Sequence, residues 1–227
     1  LKYQITPFDF SKNEHLWLDF TAANKELKFV DLRNTKAFNG YVFNKIKSEG
    51  KTVGVGGYLE NRAVYHRSEH FNGIEEPRTI HLGLDIWAEA FTPVFAPVNS
   101  IIHSFQDNIG FGDYGPTIIL EHIDHQQLNI PKYSLYGHLS RRSLTNLFVG
   151  KEIKKGEQFT EFGPFPENGD WPPHLHFQLM NDMLGKSGDF PGVCSEVDED
   201  LYVNICPNPY GFVGLKEQVL TSWNIKD

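Results

Sequence analysis

Two short segments carry histidine and aspartate at spacings suited to sharing a cation: His81-Leu-Gly-Leu-Asp85 and His174-Leu-His176. A catalytic zinc ion takes three protein ligands from histidine, carboxylate and cysteine and leaves its fourth position to water. His81, Asp85 and His176 supply that number. The same ligand types also serve iron, and carboxylate-richer sets take manganese. One zinc ion is the first choice because no redox partner residues accompany the set. A neutral imidazole beside such an ion can take a proton from its acidified water. His174, and His138 within Tyr136-Gly-His138-Leu, are the candidates, sharing that role with stabilisation of negative charge on the reacting oxygen. A lone His-x-His is more often a surface pair, and His-x-x-x-Asp is common by chance. Their joint occurrence with Tyr-Gly-His-Leu, in this order, points to a site. His15, His66, His70, His103, His122 and His125 lack such partners and read as surface or packing residues.

The elements that must position these groups are short strands. Apolar residues fall at every second position of Ile80-His81-Leu82-Gly83-Leu84-Asp85-Ile86, and a helix would not place them so. The same period puts His174, His176 and Gln178 on one face, opposite Leu175, Phe177 and Leu179. In Ser134-Leu-Tyr136-Gly-His138-Leu139 it sets Ser134, Tyr136 and His138 against Leu135 and Leu139. Each strand is expected to be half buried, with a polar face free for chemistry. An unbroken strand, however, separates the α-carbons of His81 and Asp85 by about 13 Å. A distortion at Gly83 is therefore predicted, because glycine tolerates the backbone angles of a bulge.

Further strands are expected over Pro93 to Phe105 and Thr117 to Glu121. The glycine-rich turn between them lacks the Gly-Lys-Ser/Thr ending of a phosphate loop. Gly150 to Gly156 reads as a solvated hairpin and the segment from Gly185 onward as loop. Residues 1–74 form an N-terminal extension with loosely helical spacing over Asn13 to Leu27 and Phe38 to Glu49, Gly50 being a plausible stop. The core domain then runs over 75–183, and 184–227 wraps it. Twenty glycines, thirteen prolines and 14% aromatic residues favour a β-rich class over a helical bundle. A net charge of −8 without a basic block argues against a nucleic-acid partner. No apolar stretch approaches the roughly 18 residues of a membrane span, and the first residues do not read as a signal peptide. Cys194 and Cys206 do not make a cysteine zinc site; a disulfide and two buried thiols are equally compatible with their spacing.

His81-Leu-Gly-Leu-Asp85, Tyr136-Gly-His138-Leu-Ser and Pro173-His174-Leu-His176-Phe resemble, in order and spacing, the three motifs of the M23 family of zinc metallopeptidases, the group containing lysostaphin and LytM. The extensions, including GGYLENRAVYHRSEHF, are similar to those of a less-studied subgroup. The resemblance implies an all-β core: an antiparallel β-sheet or sandwich with an open groove, built on a lysostaphin-like duplicated hybrid motif, with a few peripheral helices. It also implies a zinc endopeptidase acting on peptidoglycan stems or cross-links, and a periplasmic or secreted setting. His81, Asp85 and His176 match the zinc ligands, and His138 and His174 the catalytic histidines. Tyr136, Trp171 and Gln178 are assigned to the substrate side. Trp171 lies in a proline-stiffened loop, Gly163 to Pro173, that departs from the family pattern. Gln178 stands where relatives often carry glutamate. Two alternatives are kept: a non-catalytic binding module of the same fold, and a zinc carboxypeptidase or amidase acting at a chain end, favoured if one end of the groove is blocked.

Overall fold

The computed structural model describes residues 2–68, 71 and 76–216, apart from the side chain of His66. His70 lies outside the described residues. In chain order the elements are β1 (His15–Leu18), α1 (Thr35–Ser48), β2 (Val53–Gly56), β3 (Ile80–His81), β4 (Leu84–Trp87), β5 (Pro93–Phe95), β6 (Ser100–Asn108) and β7 (Gly115–His122). There follow α2 (His125–Leu128), β8 (Tyr133–Gly137), β9 (Glu152–Ile153), β10 (Gln158–Glu161), β11 (His174–Met180), β12 (Val193–Cys194), α3 (Glu199–Ile205) and α4 (Tyr210–Val213). Short 3-10 turns occupy Lys25–Phe29, Ala63–Arg67 and Arg141–Leu144.

Eight strands form one sheet in the order β1-β2-β4-β11-β8-β7-β6-β9. Every pairing in it is antiparallel except β1 with β2, which run parallel. The protein is therefore the β-rich type with few helices that its sequence implies, in a mixed sheet. Two of the eight strands come from the N-terminal extension. Loosely helical spacing over Asn13 to Leu27 gives way to β1 because Trp17 and Leu18 find a ladder partner in β2, and tertiary pairing overrides weak local periodicity. The Gly150–Gly156 segment is likewise more than a hairpin, since β9 adds to β6. The segment after Gly185 contains β12 and two short helices.

One face of the sheet carries the main core. Leu175, Phe177 and Leu179 of β11 meet Leu84 and Ile86 of β4 there, together with Ile118 and Leu120 of β7. A fully buried side chain of this size contributes about 1.5–3 kcal/mol. The opposite face is covered too. Helix α1 presents Phe38, Val42 and Ile46, one stripe at i, i+4 and i+8, to Trp87 and Trp171. Asn34 caps it by accepting from the Ala37 N–H at 3.1 Å. Just beyond its end Gly50 adopts φ +65°, a conformation glycine enters freely. The expected free polar face is thus roofed by the extension, and β4, β8 from Ser134 onward, and β11 are buried on both sides. Cys194 and Cys206 are buried free thiols.

Candidate metal centre and its histidines

The register of β11 brings the three motifs together. His176 pairs with Asp85 of β4 on one side and with Gly137 of β8 on the other, while His174 pairs with Trp87. His81 arrives from β3, which pairs with β12 rather than continuing into β4. The chain does break at Leu82 and Gly83, as the strand spacing predicts. The reason differs from a bulge's backbone angles, because Gly83 is absent from the positive-φ residues. A β-carbon there would lie 2.7 Å from both the His176 ring and the Phe177 carbonyl oxygen. Glycine lets the two segments close around the site.

His81 Nε2 and His176 Nδ1 stand 2.9 Å apart. Asp85 Oδ1 lies 3.2 Å from each. Among the described residues, these three form the group able to hold a metal ion. Their outer contacts decide which atoms carry lone pairs. His81 Nδ1 donates to the Gly57 carbonyl at 2.7 Å, which leaves Nε2 as an acceptor in the neutral ring. The Gln178 amide donates through Nε2 to the Pro191 carbonyl, so its Oε1, 2.9 Å from His176 Nε2, accepts from that ring. His176 Nδ1 is then an acceptor as well. Two imidazole lone pairs and a carboxylate oxygen converge, and a single proton cannot satisfy all three. A tetrahedral ion bound at about 2.0–2.1 Å spaces its ligands by about 3.3 Å, so the donor set fits a zinc ion.

The charge around this centre comes from a residue outside the motifs. Arg62, 2% exposed, donates from Nη1 to Asp85 Oδ2 and from Nε to Glu60 Oε2. One carboxylate oxygen of Asp85 is thereby occupied and the other is left to face the two imidazoles. Burial opposes ionisation of Asp85, yet His81 and the Arg62 guanidinium hold its carboxyl well below the usual range. His81 is pushed down to about 3, by burial first and by Arg62 second.

His138 and His174 lie beside the trio, their ring centres 4.2 Å apart. The Gly163–Pro173 loop fixes both. His138 Nδ1 donates to the Asn168 carbonyl at 2.9 Å, and His174 Nδ1 to the Pro172 carbonyl at 2.8 Å. Neither Nε2 has a hydrogen-bond partner among the described residues, and both residues line the cavity over the site. Burial lowers His174 to about 4 and holds His138 well below the ordinary imidazole value, the latter helped by His174 and His176. Both rings are therefore neutral near pH 7, each with an unprotonated Nε2. His138 also takes φ +61°, rare for a residue with a side chain, and this breaks the period-two alternation at the end of β8.

That break bears on Tyr136. It lies in the main core, its ring against Phe159 and Phe177 and its hydroxyl hydrogen-bonded to that of Ser134, and it does not line the cavity. Trp171 does line it, and Gln178 touches it only through His176. Four further residues complete the site, and motif spacing gives no sign of them. Arg62 clamps Asp85. Trp87 stacks on His174 at 3.9 Å. Tyr114 fills the space beside Gly137 and places its hydroxyl 3.3 Å from His176 Nε2. Asn168, fully buried, staples its loop through Gly163 and Trp171. Trp87 stands one residue beyond the alternating segment Ile80 to Ile86, and none of the four lies within an alternating segment.

A cation site of two histidines and one carboxylate, with neutral imidazoles beside it on an antiparallel pair of strands, is an arrangement found in metal-dependent hydrolases. Residues 79–188 match the model of peptidase family M23. All three motifs lie within this matching segment, so the resemblance they carry is to that family. No curated protein matches the chain. Among solved structures, the catalytic domain of the antimicrobial peptidase lysostaphin from Staphylococcus simulans is 25% identical, covering 60% of this chain and 80% of that one, with a TM-score of 0.40. A putative M23 peptidase from Pseudomonas aeruginosa is 19% identical over 60% of this chain and 45% of that one, TM-score 0.39. A zinc-containing peptidase from Vibrio cholerae is 20% identical over 45% and 28%, TM-score 0.34.

Proposed function

We propose that the protein is a zinc-dependent peptidase, hydrolysing peptide bonds of peptidoglycan stems or cross-links with metal-activated water. The observation that carries this reading is the convergence of three lone-pair atoms, 2.9–3.2 Å apart, beside two neutral histidines whose Nε2 atoms are unengaged. The peptidoglycan part rests on the M23 match alone.

His81 Nε2, Asp85 Oδ1 and His176 Nδ1 would hold the ion. When bound, zinc supplies a Lewis acid and a water acidified to a pKa of about 7. Each remaining step belongs to a side chain. An unprotonated Nε2 of His138 or His174 cannot donate to a negative oxygen, but it can take a proton from water. Once it has done so it becomes a donor, able to stabilise that oxygen and to return the proton to the leaving amine. Base and stabiliser are thus two states of the same pair, and the loop carbonyls of Asn168 and Pro172 hold each ring in the tautomer that allows it.

The test is zinc analysis paired with release of new amino groups from purified sacculi and model peptides. Stoichiometric zinc and cleavage are expected, both lost with chelator and in His176→Ala. A chain with full zinc that cuts neither material overturns the reading. Binding of sacculi without cleavage would support a non-catalytic module instead.

A further inference from the structure

Outside residues 79–188, which match the family, one short run of the extension touches two of the three candidate metal ligands. From Gly57 to Arg62 it ladders onto the strand that carries His81. The Leu59 N–H donates to the His81 carbonyl at 2.7 Å, the His81 N–H to the Glu60 carbonyl at 3.0 Å, and the Arg62 N–H to the Thr79 carbonyl at 2.8 Å. At one end of the run the Gly57 carbonyl accepts from His81 Nδ1, and at the other Arg62 reaches across to Asp85 on β4. The run thus fixes one ligand's ring and the other's carboxylate.

The guanidinium is itself fixed. Its Nε donates to Glu60, whose carboxylate also accepts from the Phe20 N–H at 3.1 Å. Its Nη1 donates to the Tyr65 hydroxyl at 3.1 Å as well as to Asp85 Oδ2, and the Phe20 and Tyr65 rings lie 5.5 and 5.7 Å from its central carbon. Gly56, paired with Asp85 in the ladder, makes the room, since a β-carbon there would lie 2.6 Å from Arg62 Nη2. A planar fork held in this way presents its N–H groups to the two carboxylates in one geometry.

A carboxylate can ligate a metal through one oxygen or through both. With Oδ2 engaged by Arg62, Asp85 has Oδ1 to offer, and Oδ1 is the atom 3.2 Å from each imidazole nitrogen. Charge does not account for the contact, because a cation beside a cation site opposes metal binding. Glu60 offsets that charge, and what the clamp adds is position.

We propose that Arg62, on the reading of the site as a zinc centre given above, is a positioning residue that restricts Asp85 to a single ligating oxygen and so keeps the ion four-coordinate. The metal centre of this chain then reaches beyond the segment that matches the family, into the extension.

The test uses two variants of the full chain that conserve net charge, because Arg62→Met alone would also remove a cation that opposes zinc. Glu60→Gln combined with Arg62→Met deletes the clamp and its counter-charge together. Arg62→Lys keeps the charge on an ammonium that lacks the fork and cannot serve both carboxylates as the guanidinium does. Zinc affinity, read by competitive titration, should fall about 10–100-fold in the double variant and about tenfold in Arg62→Lys. Cobalt(II), the second probe ion, absorbs visible light strongly when four-coordinate and weakly at higher coordination. Its absorption should fall by about half or more in both variants, as Asp85 Oδ2 joins the ion. Should the double variant not fold, Arg62→Lys decides alone. Unchanged affinity with an unchanged cobalt spectrum overturns the positioning role, and so does weaker binding with the parent's spectrum; zinc binding and peptide hydrolysis by the parent chain then leave the peptidase reading intact. A parent chain that binds neither ion removes both.

Discussion

His122 and His138 are both buried histidines whose Nδ1 donates to a backbone carbonyl, at 2.7 Å to Pro131 and 2.9 Å to Asn168. They differ at the other nitrogen. His122 Nε2 accepts the Ser134 hydroxyl proton at 2.8 Å, and the Ser134 oxygen lies 3.0 Å from the Tyr136 hydroxyl, which can donate to it. His138 Nε2, like His174 Nε2, faces the cavity with no partner among the described residues. Burial depresses both histidines, His122 to about 4. Neither burial nor a lowered pKa therefore separates a structural histidine from a reactive one. The separation lies in whether the second nitrogen is already satisfied.

The largest test of that contrast is to remove the reactive pair. His174→Ala and His138→Ala should each lower kcat by about 10²–10⁴-fold with zinc content unchanged, as positioned acid–base groups do. Steady-state kinetics with metal analysis measures this, and loss of zinc along with activity would mean the pair supports the ion rather than the proton. Next is Arg62→Met, which leaves Glu60 and Asp85 buried without their cation. The metal-free chain should lose about 3–5 kcal/mol, and the zinc-loaded chain less, since the ion itself supplies positive charge. Denaturant melts with and without zinc give that difference. Gly83→Ala should weaken zinc binding by about 10–100-fold, because the new β-carbon meets a backbone oxygen that cannot move aside. Competitive zinc titration reads it.

The smallest effect should come from His122→Ala. It should cost about 1–3 kcal/mol and leave peptide hydrolysis unchanged. Its pH dependence has a definite sign. With the folded pKa near 4 and an ordinary unfolded value of about 6.5, the unfolded chain binds the extra proton between those pH values. Stability should then fall as pH drops through that window, by up to about 1.4 kcal/mol per pH unit from this residue. Above pH 6.5 the contribution is flat. The advantage of the parent chain over His122→Ala should shrink on acidification, and melts at a series of pH values would show it.

The residue types, spacing and order of the three motifs, with the resemblance they carry, singled out His81, Asp85, His138, His174 and His176. Strand alternation by itself sets the shared direction only of His174 and His176 on β11, because a strand's side-chain direction is set by local backbone geometry. The same local rule failed at Tyr136, where the positive φ of the neighbouring His138 resets the alternation. It also failed at Asn13 to Leu27, where a ladder partner some 38 residues away outweighs weak helical spacing. The need for a break at Gly83 followed from strand length alone, yet its physical cause, the closeness of His176 and Phe177, exists only after folding.

Chain chemistry thus determined which donor atoms are available and how they are spaced. Tertiary structure decided which of their faces are covered, which lone pairs are already engaged, and that Arg62, Trp87, Tyr114 and Asn168 stand beside them. Those outcomes depend on contacts between segments remote in sequence, and no local pattern encodes a contact whose partner is set by the packing of the whole sheet.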